Sequence, residues 1–402
     1  MKNRIVALVV NNLYDLWLWR QPLIQVLQEA GYEVVAIGPP GPWREKIVRL
    51  GCQVIVYPLS RRGLNPLIEA TSLTRLFGIY RRCQPIIAHH FTIKPNFYGT
   101  LAARLAGVPV MVATVTGLGY IWTDDGPKAR LLRAILGPAY RQVLRLADAV
   151  IYLNEADRQV LGGRRTVLIP GEGIDLEAFS PEAVSSDRRL ILHKELGLRP
   201  ETPVVLMVSR MLRHKGVAEF VEAARRLRQF YPHVVFLLVG PSDDGNPARI
   251  PVEELQAWDA AGVVRYLGPR DDVRNLMAIA DMVVLPSYRE GLPRVLVEGA
   301  AMGKPLVATD IPGCREVVRH GINGLLVSPR NPIALAEAIE TLLKDPILRS
   351  QMGAASRRLA EEKFSDRQVV AQILRLYAEL LEAKGLPVPE SLLNFTVEQV
   401  LS

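Results

Sequence analysis

Short apolar runs alternate with amphipathic stretches along this chain, and the alternation predicts its architecture. Runs rich in Val, Ile, Leu and Ala occur at 4–10, 32–37, 53–57, 85–89, 108–114, 149–153 and 167–170. Most are too short for helices and are followed by Gly, Pro or Asn, so they read as buried strands. Between them, mixed apolar and polar stretches predict helices at about 16–30, 43–50, 65–82, 96–106 and 128–146. A second series of strands begins at 203–209 and continues at 234–239, 263–267, 282–285, 306–308 and 324–327, with helices at about 332–343 and 366–384. Apolar strands that alternate with helices predict doubly wound parallel sheets. The segment 176–200, with Pro181, paired serines and a charged stretch, suits a connection between two domains. The expected layout is 1–175 and 176–365, a helix 366–385 returning to the first domain, and a loosely held tail 386–402.

At 402 residues the chain can bury two or three full cores. Apolar residues make up 49% and charged residues 22%, which excludes a disordered chain. No apolar run approaches the roughly 18 residues that would span a bilayer. The N-terminus runs from Lys2 and Arg4 straight into a strand without a small-residue cleavage site, so a cytoplasmic chain is expected. Cys52, Cys83 and Cys314 form no pair or metal spacing and are expected to be buried thiols. The net charge of +8 is uneven: residues 1–170 hold 21 Lys and Arg against 10 Asp and Glu, and the remainder is close to neutral. A basic first half asks for an anionic partner there. Without aromatic–basic interleaving, nucleic acid is not the expected one.

The candidate chemistry sits in the second half. Residues 282–310 read as strand, loop, helix and strand, with Glu290 in the loop and Glu298 on the helix. In open α/β sheets ligands bind beyond the carboxyl ends of the strands, where this loop falls. Amides near Gly291 and Leu292, at the expected helix start, favour an anion such as a diphosphate. Glu298 lies roughly 9 Å further along the axis, a spacing that suits sugar, diphosphate and ribose in a row. Arg210 and Lys215 follow the first strand of the same half. A planar fork and a flexible point charge there would neutralise a diphosphate leaving group. Any one of these four is ordinarily a solvated surface residue; all four at one sheet edge favour a site. The loop at 11–13 lacks a G-x-G-x-x-G pattern, and 299–304 is too short for a P-loop, with Pro305 where Ser or Thr would hold magnesium.

Arg210 and Lys215-Gly216, the turn 266–270, and Glu290 with Glu298 resemble the R-x4-K and E-x7-E signatures of the family-4 retaining glycosyltransferases. That resemblance implies the GT-B fold: two facing Rossmann-like parallel-sheet domains with an interdomain cleft. It implies catalytic roles for Arg210, Lys215 and Glu290, with Glu290 holding hydroxyls of the transferred sugar. It places the ribose at Glu298, the diphosphate at the amides of Gly291 and Leu292, and the nucleobase at the backbone of the turn containing Leu267, Gly268 and Arg270. Many members carry a His in the loop equivalent to 115–119. Here Gly117 and Gly119 stand in that loop, so backbone is expected to approach the donor sugar.

Segments 60–61, 64–66, 94–96 and 116–119, with Asp124 and Gly126, resemble a bacterial subgroup. Its members add N-acetylgalactosamine or a related hexose to polyprenyl-diphosphate-linked sugars for glycoprotein glycans, O-antigen or capsule. The resemblance therefore implies a UDP-sugar donor, a polyprenyl-diphosphate-linked acceptor, retention by front-face transfer, and no metal or other cofactor. Lys94, Asn96, Asp124, His89 and His90 are the acceptor-side candidates, and each reads equally as a capping or structural residue. Residues 127–147 carry five cations and no acids beside a broad apolar face, and Trp17 and Trp19 suit headgroup depth. The expected placement is peripheral, at the inner face of the cell membrane. The alternatives are a GT-B epimerase or phosphorylase, and a non-catalytic nucleotide-sugar-binding scaffold subunit.

Overall fold

The computed structural model describes residues 4–59, 66–119, 122, 126–243 and 245–392. The chain forms two α/β units, passing from the first to the second between Gly173 and Ile174 and returning between Ser365 and Asp366.

The first unit holds seven parallel strands: β1 (Ile5–Val9), β2 (Glu33–Gly38), β3 (Gln53–Val56), β4 (Ile87–Phe91), β5 (Val110–Val115), β6 (Ala149–Tyr152) and β7 (Thr166–Leu168). Their order is β3-β2-β1-β4-β5-β6-β7. β1, β4, β5 and β6 are buried along their whole length, which is why they read as continuous apolar runs. The topology reverses between β1 and β4, where the segments 10–12 and 92–96 leave the sheet. The expected helix at 16–30 is two helices, Leu13–Trp19 and Gln21–Glu29, broken at Arg20. Pro22 lacks the amide a continuous helix would need there and suits the opening turn of the second helix. β4 lies two residues later than expected, because His89 and His90 are interior strand residues.

The helix Asp366–Ala383 belongs to this unit, where Val370, Ile373, Leu374 and Tyr377 join Leu23, Ile24 and Leu27 in one core. Residues 386–392 are not loose. Leu392 is fully buried, and Leu386 and Val388 pack against the same core.

The second unit holds six parallel strands: β8 (Val204–Val208), β9 (Val235–Val239), β10 (Arg265–Tyr266), β11 (Met282–Leu285), β12 (Leu306–Thr309) and β13 (Gly324–Val327). Their order, β10-β9-β8-β11-β12-β13, reverses between β8 and β11. The segment expected to be a connection instead contributes the helix Ser186–Glu195, with Val184, Leu192 and Leu196 in this unit's core. Its five charged residues, Asp187, Arg188, Arg189, Lys194 and Glu195, mask a narrow apolar stripe. The helix Pro346–Lys363, capped by Asp345, was also hidden, since small residues such as Gly353 and Ser356 form part of its buried face. Among the described residues, no helix is long and apolar enough to cross a membrane.

Candidate active site

β8 and β11 are neighbours at the point where the second sheet reverses, so the loops leaving their carboxyl ends flank one crevice. From β8 come Ser209, Arg210 and the short 3-10 turn Arg213–Lys215; from β11 comes the loop 286–290. A cavity of about 170 Å³ opens between them. Arg210, Lys215, Glu290, Leu292 and Arg294 line it.

Two glycines bring these loops together. Gly216 has a φ of +75°, and a Cβ there would lie 2.0 Å from the Pro286 carbonyl oxygen. Only glycine lets the Lys215 turn close onto the end of β11 in this way. Gly313 does the same for the other side: a Cβ there would meet the Glu290 carbonyl oxygen at 2.5 Å. The loop is further tied by the Tyr288 amide, which donates to the His214 carbonyl at 2.9 Å, and by the Thr309 hydroxyl, which donates to the Ser287 carbonyl.

Within that frame Lys215 Nζ donates to Glu290 Oε1 at 2.5 Å, with the two side chains 17% and 12% exposed. Arg210 pairs with Asp243 at 2.9 Å. Arg294 donates from Nε to Glu298 Oε1 at 2.9 Å, one turn along the helix Arg294–Ala301. Burial pushes the Glu298 carboxyl above its ordinary range, and Arg294 pulls it partly back. His214, beside Lys215 and Arg210, is held below its usual range by burial first and by those cations second. The residues that line the cavity present three cations and one carboxylate, and each cation is held by a carboxylate partner: Lys215 by Glu290, Arg210 by Asp243 and Arg294 by Glu298.

The structure thus brings Arg210, Lys215, Glu290 and Leu292 to one cavity, and it refines three other expectations. The helix starts at Arg294, so Gly291 and Leu292 lie in the bend before it, and Pro293 is its N-cap. Glu298 stands behind Arg294, outside the lining of the cavity. Arg270 is engaged by Asp272 through two bonds of 2.7 Å, and the Gly268 carbonyl accepts from the Gly240 amide at 2.8 Å, which fixes the turn after Leu267. Asp243, Tyr288, Arg294 and Gly313 went unnoticed in the sequence. Asp243 and Tyr288 act through partners distant along the chain and Gly313 through backbone approach, which spacing does not reveal; Arg294 pairs with Glu298 only four residues on.

The first unit's candidates separate differently. Lys94 forms an ion pair with the buried Glu69. Asn96 is fully buried and donates to the Thr114 carbonyl at 2.9 Å and the Tyr140 hydroxyl at 3.1 Å. His89 bonds the Tyr377 hydroxyl at 2.5 Å and the Thr114 hydroxyl at 2.6 Å. His90 bonds the Tyr80 hydroxyl at 2.9 Å. Both rings are fully buried, so neither is placed to shuttle protons with an exposed acceptor. Burial lowers both, His90 to about 3, and both are neutral at physiological pH. Gly117 has a φ of +142° in the loop after β5. Asp124, Arg61, Arg62 and the segment 60–65 lie outside the described residues.

Two parallel sheets of seven and six strands, the second with a cation-lined cavity at its reversal point, make this a protein of the GT-B class. Its fold is similar to that of the Anabaena protein Alr3699/HepE solved in complex with UDP, with a TM-score of 0.75 and 22% identity over 93% of this chain and 99% of that one. The chain belongs to the group 1 glycosyltransferases, whose pattern (Glycosyl transferases group 1) matches residues 189–359, while a Glycosyl transferase 4-like domain matches 21–170. It is 33% identical, over 92% of its length and 96% of the relative's, to the N,N'-diacetylbacillosaminyl-diphospho-undecaprenol alpha-1,3-N-acetylgalactosaminyltransferase of Campylobacter jejuni. It is 25% identical, over 81% of its length and 84% of the relative's, to the UDP-Gal:alpha-D-GlcNAc-diphosphoundecaprenol alpha-1,3-galactosyltransferase of Escherichia coli.

Proposed function

We propose that this glycosyltransferase moves a hexose or N-acetylhexosamine, with N-acetylgalactosamine the first candidate, from a UDP-sugar to a polyprenyl-diphosphate-linked saccharide. The observation that carries the reading is the convergence of Arg210, Lys215, Arg294 and Glu290 on one cavity at the sheet's reversal point. The names of both relatives, which specify diphospho-undecaprenol acceptors, support the acceptor class.

In this account the diphosphate lies against Arg210 and Lys215, and Glu290 accepts hydrogen bonds from the sugar hydroxyls. As the bond from the anomeric carbon to the phosphate oxygen breaks, negative charge builds on the leaving diphosphate, and the two cations offset it as it forms. The acceptor hydroxyl bonds to the anomeric carbon on the face the diphosphate leaves, and its proton passes to a departing phosphate oxygen. Configuration is thereby retained. Charge compensation is assigned to side chains, with no metal invoked. Glu298 is assigned to the ribose, oriented by Arg294.

A lipid-linked acceptor calls for a membrane-facing surface, and the helix Pro127–Leu144 is our candidate for it. Ala129, Tyr140, Val143 and Leu144 form its buried side. The solvent side is itself apolar and basic: Leu131 and Ile135 are 63% and 61% exposed, beside exposed Arg130, Arg141 and Arg145. Such a face suits shallow insertion among anionic headgroups, which supports the reading that the enzyme works peripherally at the membrane. Turnover of a panel of UDP-sugars against a polyprenyl-diphosphate-linked saccharide tests the proposal. A lipid-linked product one sugar longer supports it, and no transfer from any UDP-sugar rejects it.

A further inference from the structure

Tyr288 lies two residues before Glu290 and is not among the residues that line the cavity. Its amide donates to the His214 carbonyl at 2.9 Å, and its hydroxyl donates to Glu219 Oε1 at 2.5 Å. These two partners flank Lys215: His214 precedes it in the 3-10 turn, and Glu219 follows in the first turn of the helix Val217–Arg228. The second oxygen of Glu219 is buried without a partner, so the phenol holds a carboxylate that is mostly withdrawn from water. Burial pushes the Tyr288 hydroxyl up to about 12, which keeps its proton available for donation across the physiological range. The Arg330 guanidinium sits over the Tyr288 ring, 4.7 Å from its centroid. Arg330 has a φ of +58°, a conformation non-glycine residues hold where their surroundings impose it.

We propose that Tyr288 is a positioning residue that sets the register between the Lys215 ammonium and the Glu290 carboxylate. One residue ties both sides of Lys215 to the loop carrying Glu290, through its amide to the His214 carbonyl and through its hydroxyl to the Glu219 side chain, and Arg330 braces its ring. A displacement of about 1 Å at such a site costs on the order of 100-fold in rate, so a tie of this kind acts on the chemical step. The proposal rests on the cavity being the donor site.

The test compares wild type with Tyr288→Phe, Glu219→Ala, Glu219→Gln and the Tyr288→Phe/Glu219→Ala double variant. Three quantities are read: UDP affinity by calorimetry, UDP-sugar hydrolysis without acceptor, and transfer to acceptor. Tyr288→Phe and Glu219→Ala should each lower kcat about tenfold, the loss of one charge-assisted hydrogen bond, with UDP affinity within about twofold of wild type. Glu219→Gln keeps an oxygen that accepts from the phenol and should retain most of the activity. The double variant should be no slower than the slower single one, because both remove the same bond. Full activity in Tyr288→Phe, losses that multiply in the double variant, or equal losses in Glu219→Ala and Glu219→Gln would overturn the proposal. A wild-type protein that does not bind UDP would instead overturn the donor-site reading beneath it.

Discussion

Lys215 Nζ lies 2.5 Å from Glu290 Oε1, and the pair connects the turn after β8 to the loop after β11. An ammonium carries three donors, and Glu290 takes one. The carboxylate thus fixes the position of the cation while leaving it donors for phosphate oxygens.

Replacing Lys215 with Met should lower turnover about 100- to 1,000-fold, the scale on which a single electrostatic stabiliser of the transition state is felt. It also strands Glu290, only 12% exposed, without its countercharge. The Lys215→Met/Glu290→Gln double variant should therefore melt at a higher temperature than Lys215→Met alone, while remaining just as inactive. Thermal melts and UDP-sugar turnover, measured side by side, check both halves.

Gly216→Ala should destabilise the second unit by about 2 kcal/mol or more, because a methyl group meets the Pro286 carbonyl at 2.0 Å on a left-handed backbone. UDP affinity should fall with it, since the same contact seats Lys215. Gly262→Ala is the control for backbone strain: its φ is +65°, but nothing lies within 4 Å of the added carbon. Denaturant titration should show a smaller loss there and unchanged UDP binding.

The buried pair His89 and His90 predicts acid sensitivity in the first unit. Both rings are held below the ordinary value of 6.5, His90 at about 3. Above 6.5 folded and unfolded chains bind the same number of protons, and the stabilisation is complete. As pH falls below 6.5 the unfolded chain protonates first, so each ring removes about 1.4 kcal/mol per pH unit. His90→Gln should flatten that slope between pH 6.5 and 4. Four of the five tryptophans, Trp17, Trp19, Trp43 and Trp122, belong to the first unit, so their fluorescence during urea unfolding reads it selectively. An unchanged slope would count against this assignment.

How much of this was legible in the chain depends on the range of the interaction. Strands such as β1, β8 and β11 are buried along most or all of their length and declare themselves as apolar runs. Arg210, Lys215 and Glu290 could be placed at one sheet edge because strand-end loops are predictable from the element order alone, whereas Glu298, on the helix, falls outside the cavity lining. Asp243, Glu219 and Tyr288 were not foreseen, since their pairings join residues 33 and 69 positions apart. The helix break at Arg20 was written in Pro22, but the apolar periodicity running through it hid the signal. His89 and His90 stand at the expected end of β4, and a shift of two residues moves them into the strand's buried interior.

Membrane binding should depend on the exposed face of the helix Pro127–Leu144. Leu131→Ser with Ile135→Ser should weaken co-sedimentation with phosphatidylglycerol-rich vesicles several-fold, and Arg130→Glu with Arg145→Glu should weaken it further and remove its dependence on salt. Solution turnover with a short-chain, water-soluble acceptor should be unaffected. Unchanged sedimentation in both variants would reduce the helix to ordinary packing on its sheet.

The most direct measurement is a crystal structure of the protein with UDP bound. Diphosphate oxygens should lie within hydrogen-bonding distance of Lys215 Nζ and the Arg210 guanidinium, in the cavity between the ends of β8 and β11. UDP bound with its diphosphate away from both cations would contradict it.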